Sequence, residues 1–437
     1  MITLHQEEKI KFIFADNLDL VDPNYDFIKD KSSPEREPYW DDCYPHELLG
    51  YAPYDGMLVS KAIVGGYVRS GKYTESQAMR FKRIGARSFL RFEEKDYPKT
   101  VIWGDCGAFS YANEEVPPYN VDQILEFYGD GQFTHGCSVD HIIFDFIDTE
   151  YEIKFDNKEV LRRQEICLSN ASEFISKSPK AIGKHFTPVG VVHGWSPKSM
   201  ADAANEMVRM GYKYLALGGM VPLNSSQIMS ALKAVREEIP SDVELHILGF
   251  AKNDDLDQFI GKGINSIDTT SPLLRAFKDS KINYYHKKDD GYEYYTAIRV
   301  PQALVNNDIK KLVKSGSIDL EKAIVLERQT LKEIRSYASN GGSHKNAINV
   351  LGEYWELILK DKAKKNQTQA NKELANNTTR ASKTLIDRPW EKCDCSICQN
   401  IGVEVLIFRG NNRNRRRGFH NLHVYYKHIK EFRGRNI

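Results

Sequence analysis

Cysteine is scarce in this chain: there are seven in 437 residues, and Cys43, Cys106, Cys137 and Cys167 stand singly and far apart. Such spacing excludes a disulfide framework and suits reduced thiols in an intracellular compartment. Long apolar runs are missing as well. None approaches the roughly 20 residues that span a bilayer, so no membrane association is expected. The opening MITLHQEEKIKF has no secretory pattern, which makes a cytoplasmic protein the expectation. Neither sign of charge dominates: Lys and Arg number 61 against 60 for Asp and Glu, a net charge of +1. The overall balance therefore says nothing about partners. Neither GxGxxG nor GxxxxGKS occurs, which argues against an open doubly wound sheet with its glycine-rich phosphate loop.

What is present is enough hydrophobic content, 41% over this length, to bury a large core in one big domain with appendages. A series of short runs is apolar on both faces and ends on a polar residue or glycine. VIWGD ends on Asp105, IIFD (142–145) on Asp145, VGVVH (189–193) on His193, and the run at 264–268 on Asp268. The run at 214–217 leads into Gly218 and Gly219, and that at 245–248 into Gly249. Between them lie helix signals: a capping box from Thr74 to Gln77, a helix start at Asn120 and Gln123, and Ser196-Pro197 closed by Gly211.

Continuously apolar strands alternating with helices read as a parallel sheet covered on its faces. With a further strand-like run at 10–15, an α/β fold of the closed eight-stranded TIM (β/α)8 type is expected. In such a sheet the strand carboxyl ends share one edge, which would bring Asp105, Asp145, His193 and Asp268 to one site. The expected division is an N-terminal segment at 1–94 contributing to the barrel, a catalytic barrel at 95–360, a polar linker or helix extension at 361–388, and a C-terminal subdomain at 389–437.

That last segment carries Cys393, Cys395 and Cys398 within six residues, with His420, His423 and His428 downstream. Three thiols and one imidazole make a closed structural zinc site with no open position for a catalytic water. Spacing alone leaves open which histidine completes it. Arg409, Arg413, Arg415, Arg416 and Arg417 put five arginines in nine residues, either a solvated face or a phosphate-binding run.

Taken in order, Asp105-Cys106-Gly107-Ala108-Phe109-Ser110, Phe144-Asp145, Val191-Val192-His193-Gly194, Leu217-Gly218-Gly219-Met220, Ile267-Asp268 and the Cys393/Cys395/Cys398 set with His420-Asn421-Leu422 resemble the tRNA-guanine transglycosylase superfamily. They are most similar to its DNA-modifying branch, the DNA 7-deazaguanine transglycosylases. The resemblance covers about 95–280 and 390–426. It implies Asp268 as nucleophile at C1′ of a guanosine and Asp105 as general acid/base. It implies Asp145, His193, Gly218, Gly219 and Met220 around the base with Phe109 as stacking face, and a structural zinc on Cys393, Cys395, Cys398 and His420.

The substrates implied are a flipped or single-stranded guanosine in DNA and a 7-deazaguanine base, with other proteins of a DNA-modification system as partners. Arg275, Arg413, Arg415, Arg416 and Arg417 are the expected nucleic-acid contacts. His193 stands where the family has Gln, Ser110 where it has Gln, and MVPLN follows Gly219 in place of a run ending in Glu. Loss of that carboxylate favours a neutral base such as 7-cyano-7-deazaguanine (preQ0). The alternatives are the same exchange on tRNA, and a non-catalytic zinc-dependent nucleic-acid-binding protein.

Overall fold

Eight short runs close into a parallel barrel in the computed structural model of the chain, which describes residues 10–65, 71–149, 156–288 and 291–432. The strands are β1 (Lys11–Ala15), β2 (Gly56–Ser60), β3 (Val101–Asp105), β4 (His135–Cys137), β5 (Thr187–Val192), β6 (Tyr214–Leu217), β7 (Glu244–Ile247) and β8 (Ser266–Asp268). Each pairs with its sequence neighbours, and β8 closes onto β1 with Ile13 opposite Asp268. The expected TIM-type barrel is the fold. Its interior is filled by Ile13, Leu58, Trp103, Cys137, Val189, Val191, Tyr214 and Ala216.

The covering helices start and stop where their caps dictate. Thr74, Asn120 and Ser196 each accept the third helical amide, and Gly211 ends Pro197–Met210 at φ +108, a conformation that favours glycine. Among the described residues no helix is long and apolar enough to cross a membrane.

Two differences from the sequence reading bear on the site. The run at 142–145 is not a strand. The fourth strand is His135–Cys137, hydrogen-bonded between β3 and β5, and 138–149 follows it as irregular chain. Gly136 is needed there because a Cβ would meet the Tyr128 and Phe186 rings at 2.6 Å. β2, carrying Met57, Leu58 and Val59 between the turn at 50–53 and the short helix Lys61–Val64, is the strand that the reading did not place.

The chain divides into two compact units. The first, Met1–Leu18 with Tyr54–Ser271 and Ile429–Ile437, holds the barrel. The second joins Asp19–Pro53 to Pro272–His428, so the barrel unit stops short of the expected boundary at 360. Residues 361–388, expected as a polar linker or helix extension, lie largely in the helices Lys360–Lys365 and Gln367–Asp387. The second unit pairs Tyr284–Lys288 with Gly291–Tyr295 in antiparallel fashion and stacks helices Leu320–Ala338 and His344–Ile358.

Candidate active site and metal centre

Ser60 and Asp105 end neighbouring strands in register. The Ser60 hydroxyl and the Gly107 amide, the latter at 3.0 Å, both hydrogen-bond the Asp105 carboxylate. Gly107 makes this turn at φ +88, and a Cβ on it would meet Ala62 at 2.6 Å and Ser60 Oγ at 2.8 Å. Only glycine fits both the conformation and the space. Burial, with the charges of Asp140 and then Asp268 nearby, raises the Asp105 carboxyl to about 7 despite those two donors.

Asp140 is the carboxylate brought into the barrel mouth, where the sequence reading placed Asp145. It is 3% exposed, accepting from His193 Nε2 at 2.7 Å and from the Cys106 thiol at 2.9 Å. Asp145 lies exposed on the irregular chain beyond, next to Asp148, which is also exposed. The physical reason is the position of β4. Its polar and small residues hide it in the sequence, whereas the more apolar 142–143 packs outside the sheet. Burial and the Asp140 charge push the Cys106 thiol well above its usual range, so it remains a donor; the Tyr111 hydroxyl sits 3.0 Å from its Sγ.

His193 is buried against Gly218. A Cβ at 218 would lie 2.4 Å from its ring, and Gly219, at φ +75, would place one 2.5 Å from the Ile143 carbonyl. The two glycines therefore let the imidazole and a neighbouring loop close over the strand ends. His193 Nδ1 is buried with no hydrogen-bond partner among the described residues. An ionised carboxylate only accepts, so Nε2 carries the proton toward Asp140 and Nδ1 is left as an unsatisfied acceptor. The Gly218 amide is taken by the Val192 carbonyl at 2.9 Å. Of the two amides expected to face the base, Gly219's has no partner among the described residues. The Met220 side chain is buried. Phe109 is 58% exposed and lies 5.7 Å from the likewise exposed Phe144, forming an aromatic pair open to solvent.

Asp268 ends β8 and is 8% exposed; His246 Nε2 at 3.0 Å and the Gly249 amide at 2.8 Å both donate to its Oδ1. His246 also lies outside the sequence reading. One histidine inside the run ELHI reads as core, and only the register with β8 places it beside Ser266.

In the second unit, His420 Nδ1 lies 3.4, 3.5 and 3.3 Å from the sulfurs of Cys393, Cys395 and Cys398. Tetrahedral coordination with metal–sulfur near ~2.3 Å and metal–nitrogen near ~2.0 Å sets such separations at about 3.5 Å. The four donors could hold a metal ion. His420 Nε2 lies 2.8 Å from the Tyr285 carbonyl, which keeps its proton there and Nδ1 free to ligate. Tyr284 stacks 4.0 Å over the ring. His423 instead contacts Asp394 at 3.1 Å, and His428 sits 4.6 Å from Tyr292, which leaves His420 as the histidine of the Cys3His set.

The arginine run is not a phosphate-binding surface. Arg413, Arg416 and Arg417 are at most 4% exposed. Arg413 pairs with Asp30 and Glu404, Arg416 donates to the carbonyls of Asp22 and Pro23, and Arg417 to those of Ala276 and Val405. Arg415 keeps 35% of its side chain exposed while donating to the Leu20 carbonyl at 2.8 Å. These guanidiniums pin the 19–30 segment within the second unit. Glu404 is nine residues from Arg413, but Asp30 and the carbonyls of Leu20, Asp22 and Pro23 are hundreds of residues away in sequence, so the run alone reads as solvated. Arg275 is half-buried, 5.8 Å from both the Tyr285 and Tyr294 rings.

A parallel barrel with three carboxylates at its carboxyl edge, one of them poised to exchange a proton near neutrality, defines a barrel enzyme built for carboxylate chemistry. No family model matches the chain. A DNA-guanine transglycosylase from Salmonella montevideo is 41% identical to it over 427 residues, 97% of each chain. A queuine tRNA-ribosyltransferase from Buchnera aphidicola subsp. Schizaphis graminum is 29% identical over 89 residues, 20% of this chain and 24% of that protein. The chain belongs to the DNA-guanine transglycosylase family.

Proposed function

We propose that this protein exchanges guanine in DNA for a 7-deazaguanine base through a glycosyl ester on Asp268. The observation that carries the reading is the grouping of Asp105, Asp140 and Asp268 at one barrel edge, with the Asp105 carboxyl raised to about 7 by burial first and then by the charges of Asp140 and Asp268. In the first half, the free oxygen of Asp268 bonds to C1′ as the bond to guanine N9 breaks, and Asp105 gives its proton to the departing base. In the second, the incoming base loses its proton to Asp105 and bonds to C1′ as the ester breaks. Two inversions retain configuration, and the oxocarbenium-like transition state is stabilised by the carboxylate it faces.

Asp140 and His193 supply the edge that holds the base. His193 Nδ1, buried and unsatisfied, would accept from a ring or amino N–H, and the Gly219 amide would donate to the base carbonyl. Phe109 would stack on it. No carboxylate follows Gly219 in Met220-Val221-Pro222-Leu223-Asn224, which favours neutral preQ0 over a cationic aminomethyl base. Cys393, Cys395, Cys398 and His420 would hold zinc, whose contribution is to fix the fold of the second unit.

The relative matched along nearly the whole chain is the DNA enzyme, which favours DNA over tRNA as substrate. The test is transfer of labelled preQ0 by wild-type and Asp268→Ala protein into plasmid DNA and tRNA side by side, alone and with proteins of a DNA-modification system added. Label in DNA that depends on Asp268 is expected. Label in tRNA alone would move the substrate to RNA, and equal labelling by Asp268→Ala would remove Asp268 as nucleophile.

A further inference from the structure

Below the carboxylates, four polar side chains run in line through the barrel interior. The Tyr214 hydroxyl lies 2.7 Å from Ser266 Oγ, Ser266 Oγ lies 2.6 Å from His246 Nδ1, and His246 Nε2 lies 3.0 Å from Asp268 Oδ1. Tyr214, Ser266 and His246 are at most 3% exposed, so these groups are shielded from bulk water. The His246 ring is also held from its face. Trp103 packs at 4.5 Å on it, and His135 stacks on Trp103 at 5.0 Å with the planes 4° apart.

From this line we infer that His246 is the positioning residue of Asp268, set in a single tautomer by Ser266 and Tyr214; the inference rests on Asp268 being the nucleophile. An ionised Asp268 can only accept, so Nε2 must carry the proton. Nδ1 then accepts from the Ser266 hydroxyl, which in turn accepts from Tyr214. Burial, with the charge of Glu244 and a hydrogen bond to it, pushes the Tyr214 phenol up, so the hydroxyl keeps its proton and is shared between Glu244 and Ser266. From Ser266 through His246 the hydrogen bonds point toward Asp268, and bonds aligned this way polarise one another.

The consequence is geometric. With the His246 and Gly249 donors both on Oδ1, the carboxylate cannot turn, and Oδ2 is the oxygen presented to C1′. Losing the ring donor frees the carboxylate to rotate, and misplacement on the scale of 1 Å costs about 100-fold in rate.

The experiment combines kinetics with a measurement that needs no substrate. In His246→Phe, which keeps the stack on Trp103, kcat for base exchange is expected to fall about 100-fold with KM for the base unchanged. His246→Gln, whose amide can again donate to Oδ1, is expected to recover about tenfold of that loss. An unchanged kcat, an equal rise in KM, or no recovery with Gln would overturn the inference.

Nitrogen-15 spectra of the histidine-labelled full chain should show His246 as the neutral Nε2–H tautomer, and Ser266→Ala should shift it toward a tautomer mixture. An Nδ1–H ring, an imidazolium, or an unmoved tautomer in Ser266→Ala would equally overturn it. This readout stands whether or not exchange is detected. Full activity in Asp268→Asn would remove the nucleophile reading while leaving the tautomer result to decide the chain of donors.

Discussion

His193 donates from Nε2 to Oδ2 of Asp140 at 2.7 Å, both groups being buried. This pair joins the end of β5 to the chain just past β4 and fixes the ring so that its other nitrogen has no partner among the described residues. A buried polar atom left unsatisfied costs about 1–3 kcal/mol, a cost that a bound base would relieve. Asp140→Asn is therefore expected to impair base binding more than chemistry, because an amide can donate where the carboxylate accepted and the His193 tautomer is released. KM for the base should rise about 10- to 100-fold while Asp145→Asn stays near wild type. Side-by-side exchange kinetics decide it; a larger effect at Asp145 would return base recognition to the exposed residue.

Asp105 links stability to pH. Its carboxyl is near 3.8 when unfolded and about 7 when folded, so the folded state binds its proton more tightly. Stability from this group is greatest below about pH 4 and declines as pH rises to about 7, beyond which it is constant. Asp105→Asn removes that penalty, and should be more stable than wild type at pH 8 by on the order of 2 kcal/mol, with the advantage gone below pH 4. Denaturant titrations at the two pH values measure it. The same substitution should abolish exchange, since an amide cannot pass a proton, and in the wild type formation of the Asp268 ester should slow above pH 7.

The barrel was legible because β3, β5, β6, β7 and β8 are apolar runs bounded by caps and glycines, and because Asp105 and Asp268 end two of them. β4 was not, since His135, Gly136 and Cys137 carry no strand pattern and depend on hydrogen bonds to both neighbours. Losing β4 shifted the expected carboxylate from Asp140 to Asp145. His246 was hidden by the opposite effect, a polar residue inside an apolar strand whose meaning appears only in register with Ser266 and Asp268. The arginines misled for a third reason: charge clustering is local in sequence, but Asp30, which pairs with Arg413, comes from a segment that only the fold brings near.

The Cys3His cluster is expected to hold close to one zinc per chain. Thiolates crowded this tightly repel without a cation, so metal binding and folding of the second unit are coupled. Cys395→Ala should lose the metal and lower the Tm by about 10 °C or more, whereas His423→Ala should keep it. Metal analysis with thermal melts checks both, and an unchanged metal content in Cys395→Ala would refute the site.

Arg413 offers the sharpest test of how the arginine run is used. It is 1% exposed and bonded to Asp30, Glu404 and the Phe27 carbonyl. Asp30 also pairs with Arg409 and Glu404 with Arg335, both at 2.6 Å, so removing Arg413 leaves each buried carboxylate with one guanidinium in place of two, which costs on the order of 3 kcal/mol. Arg413→Ala should therefore show a large fall in stability, and at a temperature where it remains folded its affinity for DNA should match wild type with the same dependence on salt. A phosphate contact would behave the other way, with stability unchanged, affinity weaker, and the slope of log affinity against log salt reduced by about one. Measuring both quantities on the same preparation separates a guanidinium that binds its own chain from one that binds a nucleic acid.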